Sequence, residues 1–236
     1  HSRIAALRLL GRREAFRGSG FRRQPCEPNR VAAAPLGLKV LGFVNAGTLY
    51  EISAKERNKP MAELGQVYTK AFLESLGLQV NKIKESSNKS PDFEVMINGN
   101  LTFYCEEKTI DESEIEYLTS EEMDEYNEIK EVPEGYSGND NTYDALSSRI
   151  YKSIKQFGSI NPDRRYPNVL AITNFDGLTG IQDLFICLTG SAILDNGSYL
   201  KIHRVGRLGE KLNNIDLYLW FDKDEFKGCI WGEFNK

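Results

Sequence analysis

Histidine is nearly absent from this chain: His1 and His203 are the only two in 236 residues. Hydrolytic centres that combine a histidine base with histidine metal ligands are therefore excluded in practice. His203, between Ile202 and Arg204, reads as a strand or loop residue near the surface. The four cysteines, Cys26, Cys105, Cys187 and Cys229, lie far apart with no paired spacing. That pattern argues against a structural zinc or a disulfide framework and fits a reduced, cytoplasmic protein. Long hydrophobic runs are missing too, since the apolar stretch from Val31 to Gly47 is broken by Pro35 and Lys39 and is too short to span a bilayer. Acidic residues are scarce in one place only. Residues 1–60 hold 12 Lys and Arg, nine of them Arg, against four Glu and no Asp. The remaining 176 residues hold 18 basic against 30 acidic side chains.

This asymmetry divides the chain. Residues 1–60 read as a basic extension outside the fold, with little periodicity beyond a short helix at Ile4–Leu10. Such an arm suits a transit peptide, a nucleic-acid-binding tail or sequence upstream of the true start, and the last is favoured because Met61 opens the first convincing helix. Residues 61–236 are long enough for one well-buried α/β domain. Within them, Asp111 to Asp144 carries 13 acidic residues and one basic one, Lys130. Residues 111–142 therefore read as a solvated acidic insertion that repels phosphate, either looping away from a substrate or covering its site until displaced.

The periodic segments are few and clear. Pro60 to Leu76 has Leu64, Val67, Tyr68, Ala71, Phe72 and Leu76 at helical spacing, with Gly77 to end it. Thr142 to Phe157 repeats the pattern with Tyr143, Leu146, Ile150, Ile154 and Phe157. Asn168–Thr173 reads as a buried strand, Gly177–Cys187 as a short helix, and Tyr199–Val205, Ile215–Phe221 and Gly228–Phe234 as further strands. Residues 215–221 are too uniformly apolar to face water on one side, and both tryptophans, Trp220 and Trp231, are assigned to the core or to covering the sheet.

Between the two helices lies the segment that carries chemistry. Phe93, Val95, Ile97, Leu101, Phe103 and Cys105 are all odd-numbered. They share one face of a β-hairpin only if the connecting loop has odd length, which Asn98-Gly99-Asn100 supplies. With Ile97 opposite Leu101, Asp92 falls opposite Glu106, and Lys108 follows on the same face. A two-residue Asn98-Gly99 loop would pair Asp92 with Cys105 instead. Two carboxylates held this close repel unless a cation lies between them, and hard oxygen ligands suit Mg²⁺, with Mn²⁺ as a substitute. The ion would polarise a phosphoryl oxygen and lower the pKa of bound water, while Lys108 orients that water or offsets charge in the transition state. The plain structural reading of the same residues is a solvated hairpin edge.

Pro91-Asp92 followed by Glu106-Glu107-Lys108 resembles the signature of the PD-(D/E)xK nuclease superfamily, the restriction-endonuclease-like proteins, over roughly Met61 to Trp231. The resemblance implies an αβββαβ core, a mixed central sheet flanked by helices, with Asp92 at the start of the second core strand and Glu106-x-Lys108 on the third. It also implies Asp92 and Glu106 as metal ligands, the backbone carbonyl of Glu107 completing the metal shell with its side chain turned away, and an auxiliary residue from the first helix. Glu63 is the candidate for that role, with Gln66, one turn further along, as the alternative. In the second helix Arg149, Lys152 and Gln156 lie at i, i+3 and i+7 and project together, where similar nucleases reach backbone phosphates. A basic helix face in water is the ordinary reading of these three.

The expected function is a Mg²⁺-dependent endonuclease that hydrolyses DNA phosphodiester bonds through a metal-activated water. The alternatives are a catalytically inactive restriction-like fold that binds nucleic acid or a protein partner, and a nuclease acting on RNA. The expected partner is nucleic acid, DNA first, without a membrane and with homodimerisation left open. Local basic patches must carry the binding: Lys82, Lys84 and Lys89, the second helix, Arg164 and Arg165, and Lys201, Arg204, Arg207 and Lys211.

Overall fold

The computed structural model describes residues 59–84, 90–111, 140–177, 179–193, 199–202 and 208–231. The expected helix at Ile4–Leu10, nearly all of the basic extension, most of the acidic insertion, Cys26, Lys89, His203, Arg204 and Arg207 lie outside the described residues. In chain order come helix α1 (Met61–Ser75), strands β1 (Gln79–Lys82), β2 (Phe93–Ile97) and β3 (Asn100–Ile110), helix α2 (Asp140–Ile160), strand β4 (Asn168–Asn174), helix α3 (Ile181–Thr189), short strands β5 (Ser191–Ile193) and β6 (Tyr199–Lys201), a 3-10 helix (Gly209–Asn214), and strands β7 (Leu217–Asp222) and β8 (Glu225–Ile230).

Six strands form one mixed sheet in the order β1-β2-β3-β4-β7-β8. On one side β2 runs antiparallel to both β1 and β3, then β3, β4 and β7 run parallel, and β8 returns antiparallel at the far edge. Parallel neighbours need a crossover, and α2 supplies it between β3 and β4. The central strands are apolar on both faces because both are covered. Every residue of β4 is buried, as are Leu217 to Phe221 of β7, Trp220 among them.

Alternation sorts the sheet's side chains into two cores. Phe93, Val95, Phe103, Cys105, Val169, Ala171, Leu217, Leu219 and Phe221 pack under α1, where Phe72 lies 4.4 Å from Phe226 and 5.2 Å from Phe221, centroid to centroid. Tyr104, Leu170, Ile172, Tyr218 and Trp220 face the other way, against Leu146, Ile150, Tyr151 and Phe157 of α2 and Leu184, Phe185 and Leu188 of α3. Fully burying one such side chain stabilises the fold by roughly 1.5–3 kcal/mol. Cys105 and Cys187 are buried free thiols and Cys229 is a free, half-buried one. Among the described residues no helix is long and apolar enough to cross a membrane.

Several boundaries differ from the sequence expectation. Helix α2 starts two residues before Thr142 and runs three beyond Phe157. Helix α3 begins at Ile181 rather than Gly177, because Gly180 caps it and donates its N–H to Asp183 Oδ2 at 2.8 Å. Strand β8 begins at Glu225, three residues early, once Lys223 has turned the chain with φ 55°. Strand β6 is described only to Lys201. Strand β1 was implied only by the resemblance, as the core strand before Asp92, and strand β5 and the 3-10 helix were not expected; all three are three to six residues long and too short to show a period.

The hairpin β2–β3 corrects the expected loop. Ile97 faces Asn100 across a two-residue tip in which Asn98 and Gly99 take φ 52° and 76°, the left-handed pair that tight hairpins favour. Met96 then pairs with Leu101, but Val95 pairs with Phe103, so Thr102 is an extra residue and the strand bulges there. The bulge also moves Leu101 to the opposite face: it packs with Tyr104 and α2, not with Phe103 and Cys105. Beyond the bulge Phe93 pairs with Cys105, and Asp92 aligns with Glu106 as expected, by a different route.

Candidate functional site

The pairing of β2 with β3 ends at Phe93 and Cys105, while β3 runs on to Ile110 beside β4. From Glu106 onward β3 therefore lacks its β2 neighbour. An unpaired backbone N–H near a sheet's interior is costly, and the Asp92 carboxylate takes the missing strand's place: its Oδ2 accepts the Glu107 N–H at 2.8 Å. Its Oδ1 accepts Gln66 Nε2 from α1 at 2.9 Å. The orientation of that amide is fixed by a second contact, since Lys82 Nζ donates to Gln66 Oε1 at 2.8 Å and so leaves the NH₂ group for Asp92.

Glu106 closes the other side. Its Oε2 accepts the Asp92 backbone N–H at 3.0 Å and its Oε1 lies 2.6 Å from Lys108 Nζ. The Glu106 side chain is 1 % exposed and that of Lys108 22 %, so a deeply buried carboxyl meets an ammonium that still reaches solvent. Burial pushes Glu106 up to about 8; the charge of Lys108 opposes that rise and Asp92 reinforces it. Asp92 is also raised by burial, against the lowering effect of the Glu107 N–H and of Lys108. Both carboxyls are held above their ordinary range by desolvation, and each sits in the field of the other.

Glu107 turns to the α1 side of the sheet, as expected from alternation, but it is not idle there. It is buried and pushed up to about 8, by burial first, with the nearby Thr173 and Thr109 hydroxyls opposing. Thr109 Oγ1 donates to its Oε1 at 3.2 Å. Helix α1 passes directly over it at Gly65, where an added Cβ would come 2.2 Å from Glu107 Oε1 and 2.6 Å from Thr109 Oγ1. A glycine inside an amphipathic helix is the sequence signal for such a close approach.

Helix α2 borders the site from the opposite face. Arg149 Nε donates to the Thr109 carbonyl, and Gln156 Nε2 to the Ser90 carbonyl at 3.2 Å. The two carbonyls bracket the acidic pair, that of Thr109 next to Lys108 and that of Ser90 two residues before Asp92, and Lys152 lies between Arg149 and Gln156 in the helix. Glu63 is not brought to the cluster: its side chain is 58 % exposed and pairs with Lys59 at 3.9 Å. Gln66 occupies the place from which α1 reaches Asp92. The connected set is thus Gln66, Lys82, Asp92, Glu106 and Lys108, with Glu107 tied in through its backbone N–H.

In chemical kind the pair Asp92 and Glu106 fits a hard divalent cation, because Mg²⁺ is commonly held by one or two carboxylates with water and phosphate completing its shell. Among the described residues no group of three or more His, Cys, Asp or Glu side chains is placed to hold a metal ion. No family model matches this chain, and the searches of curated proteins and of solved structures likewise gave no match.

Proposed function

We propose that this domain is a divalent-cation-dependent endonuclease of restriction-like fold, acting on the phosphodiester bonds of DNA. The observation that carries the reading is the joining of Asp92, Glu106, Lys108 and Gln66 at the point where β2 leaves β3. Supporting it are the element order, helix, three strands, helix, strand, and the mixed sheet that those elements build. Asp92 and Glu106 would hold Mg²⁺ or Mn²⁺, with the Glu107 carbonyl as a further oxygen. When bound, the ion would supply an acidified water and charge stabilisation at the phosphoryl oxygens.

The chain's own groups do the rest. Gln66, locked by Lys82, fixes the Asp92 carboxylate. Lys108 holds Glu106 in place and offers positive charge where negative charge grows on phosphate. Arg149, Lys152 and Gln156 line the approach from α2 and steer the substrate backbone. Gln66 takes the auxiliary position in this proposal, in place of Glu63.

A second reading, a non-cleaving module that binds nucleic acid or protein, is favoured by a specific observation: both oxygens of Asp92 and both of Glu106 already have protein partners, and among the described residues no three-residue ligand group accompanies them. The two readings separate by incubation of supercoiled plasmid and of RNA with Mg²⁺, Mn²⁺ or EDTA. The nuclease reading expects metal-dependent nicking of the plasmid, lost by about 10²-fold or more in Asp92→Ala and Lys108→Ala, and Mg²⁺-induced thermal stabilisation that Asp92→Ala abolishes. Intact DNA and RNA with every ion, together with an unshifted melting temperature, establish the module instead. Cleavage of RNA alone moves the substrate and keeps the centre.

A further inference from the structure

Tyr151 of α2 is buried in the apolar core cluster, and two lysines from different elements rest on its ring. Lys155 Nζ lies 4.4 Å from the ring centroid, and Lys211 Nζ, from the 3-10 helix, lies 4.9 Å from it. Both lysines are exposed, and neither has a carboxylate partner among the described residues. The ring's negative face attracts each ammonium, but the two like charges repel one another, so the pair gains from an anion that neutralises both.

The pair is not isolated on the surface. Arg149, Lys152 and Lys155 follow at intervals of three, a course that winds slowly around a helix of 3.6 residues per turn. It starts at Arg149, fixed to the Thr109 carbonyl one residue from Lys108, and ends at Lys155, which shares the Tyr151 ring with Lys211.

We infer that Lys155 and Lys211, seated on Tyr151, form a backbone-phosphate clamp for the stretch of DNA that flanks the bond presented to the Asp92–Glu106 centre. This rests on the proposed nuclease reading and adds to it the direction in which the substrate leaves the site. Tyr151 is the seat and not a stacking platform, since its ring is covered by protein and by the two lysine stems. The contacts are to phosphates and carry no base preference.

Each phosphate contact contributes about −0.9 to the slope of log affinity against log salt on duplex DNA. The test is a salt titration of full-length protein binding to a fluorescent DNA duplex in EDTA. The Lys155→Ala, Lys211→Ala double variant should flatten the slope by about 2 relative to wild type, and the double Lys→Arg variant should restore it. Lys70→Ala, which removes a lysine already paired with Glu74, should leave the slope unchanged. A double alanine variant with the wild-type slope, or a wild type that does not bind the duplex, overturns the clamp. The enzyme reading fails separately: a wild type that binds with the steep, lysine-dependent slope but never nicks keeps the clamp and ends the nuclease, whereas nicking with a slope indifferent to the pair does the reverse.

Discussion

Three neighbouring carboxyls, Asp92, Glu106 and Glu107, are each raised above their ordinary range, Glu106 and Glu107 to about 8 from 4.5. The folded protein therefore retains protons that the unfolded chain releases once the pH passes about 4.5. The stabilisation is complete below that value and is lost as the pH rises through about 8. Denaturant midpoints measured in EDTA should decline across this window. Glu107→Gln keeps an acceptor for Thr109 and cannot ionise, so in that variant the decline should shrink to roughly half; an unaltered decline would mean that Glu107 is not titrating there. The sequence made Asp92, Glu106 and Lys108 readable because hairpin alternation assigns their face. It gave no means of ranking Glu63 against Gln66, which differ by three positions on one helix stripe, because that choice depends on where α1 crosses the sheet.

Helix α1 crosses where Gly65 permits it. Gly65→Ala gains about 1 kcal/mol in helix propensity but drives a methyl into the Glu107 carboxyl and the Thr109 hydroxyl. Both targets sit on β3, held by buried hydrogen bonds, so neither is a loose chain end. Overpacking of this sort costs about 1–3 kcal/mol, and the displaced helix takes Gln66 away from Asp92. A lowered urea midpoint with loss of any metal-dependent thermal shift is expected; a midpoint equal to or above wild type would show that α1 yields without cost. The hairpin shows where sequence reasoning stops at this scale. Alternation required an odd offset between the strands, which the protein achieves with an even loop and one bulged residue, Thr102. Both solutions satisfy the same pattern at Phe93 and Cys105, and only the position of Leu101 distinguishes them.

At the scale of the molecule, the layers were legible and the edges were not. Helices α1 and α2 and strands β4 and β7 carry long apolar patterns, because each is covered on a whole stripe or on both faces. Strands β1 and β5 lack that cover or that length. Among the described residues the three apolar clusters are drawn from Leu64 to Trp231, and Pro60 contributes the carbonyl that accepts the first N–H groups of α1. If the basic extension lies outside the fold, as its composition leads us to propose, a chain beginning at Lys59 should unfold in one cooperative transition with the midpoint of the full chain. A broad or absent transition would give the first 58 residues a place in the core.

The bulge at Thr102 insulates one end of the hairpin from the other. The tip, from Met96 to Leu101, has its own register, and Gly99 projects into open space. Lengthening the loop there, or attaching a dye, should leave the alignment of Asp92 with Glu106 untouched. Deleting the single residue between Phe103 and Cys105 would instead exchange the two glutamates across the sheet and replace Lys108 with a threonine, so the same hairpin offers a permissive handle a few residues from its most sensitive spot.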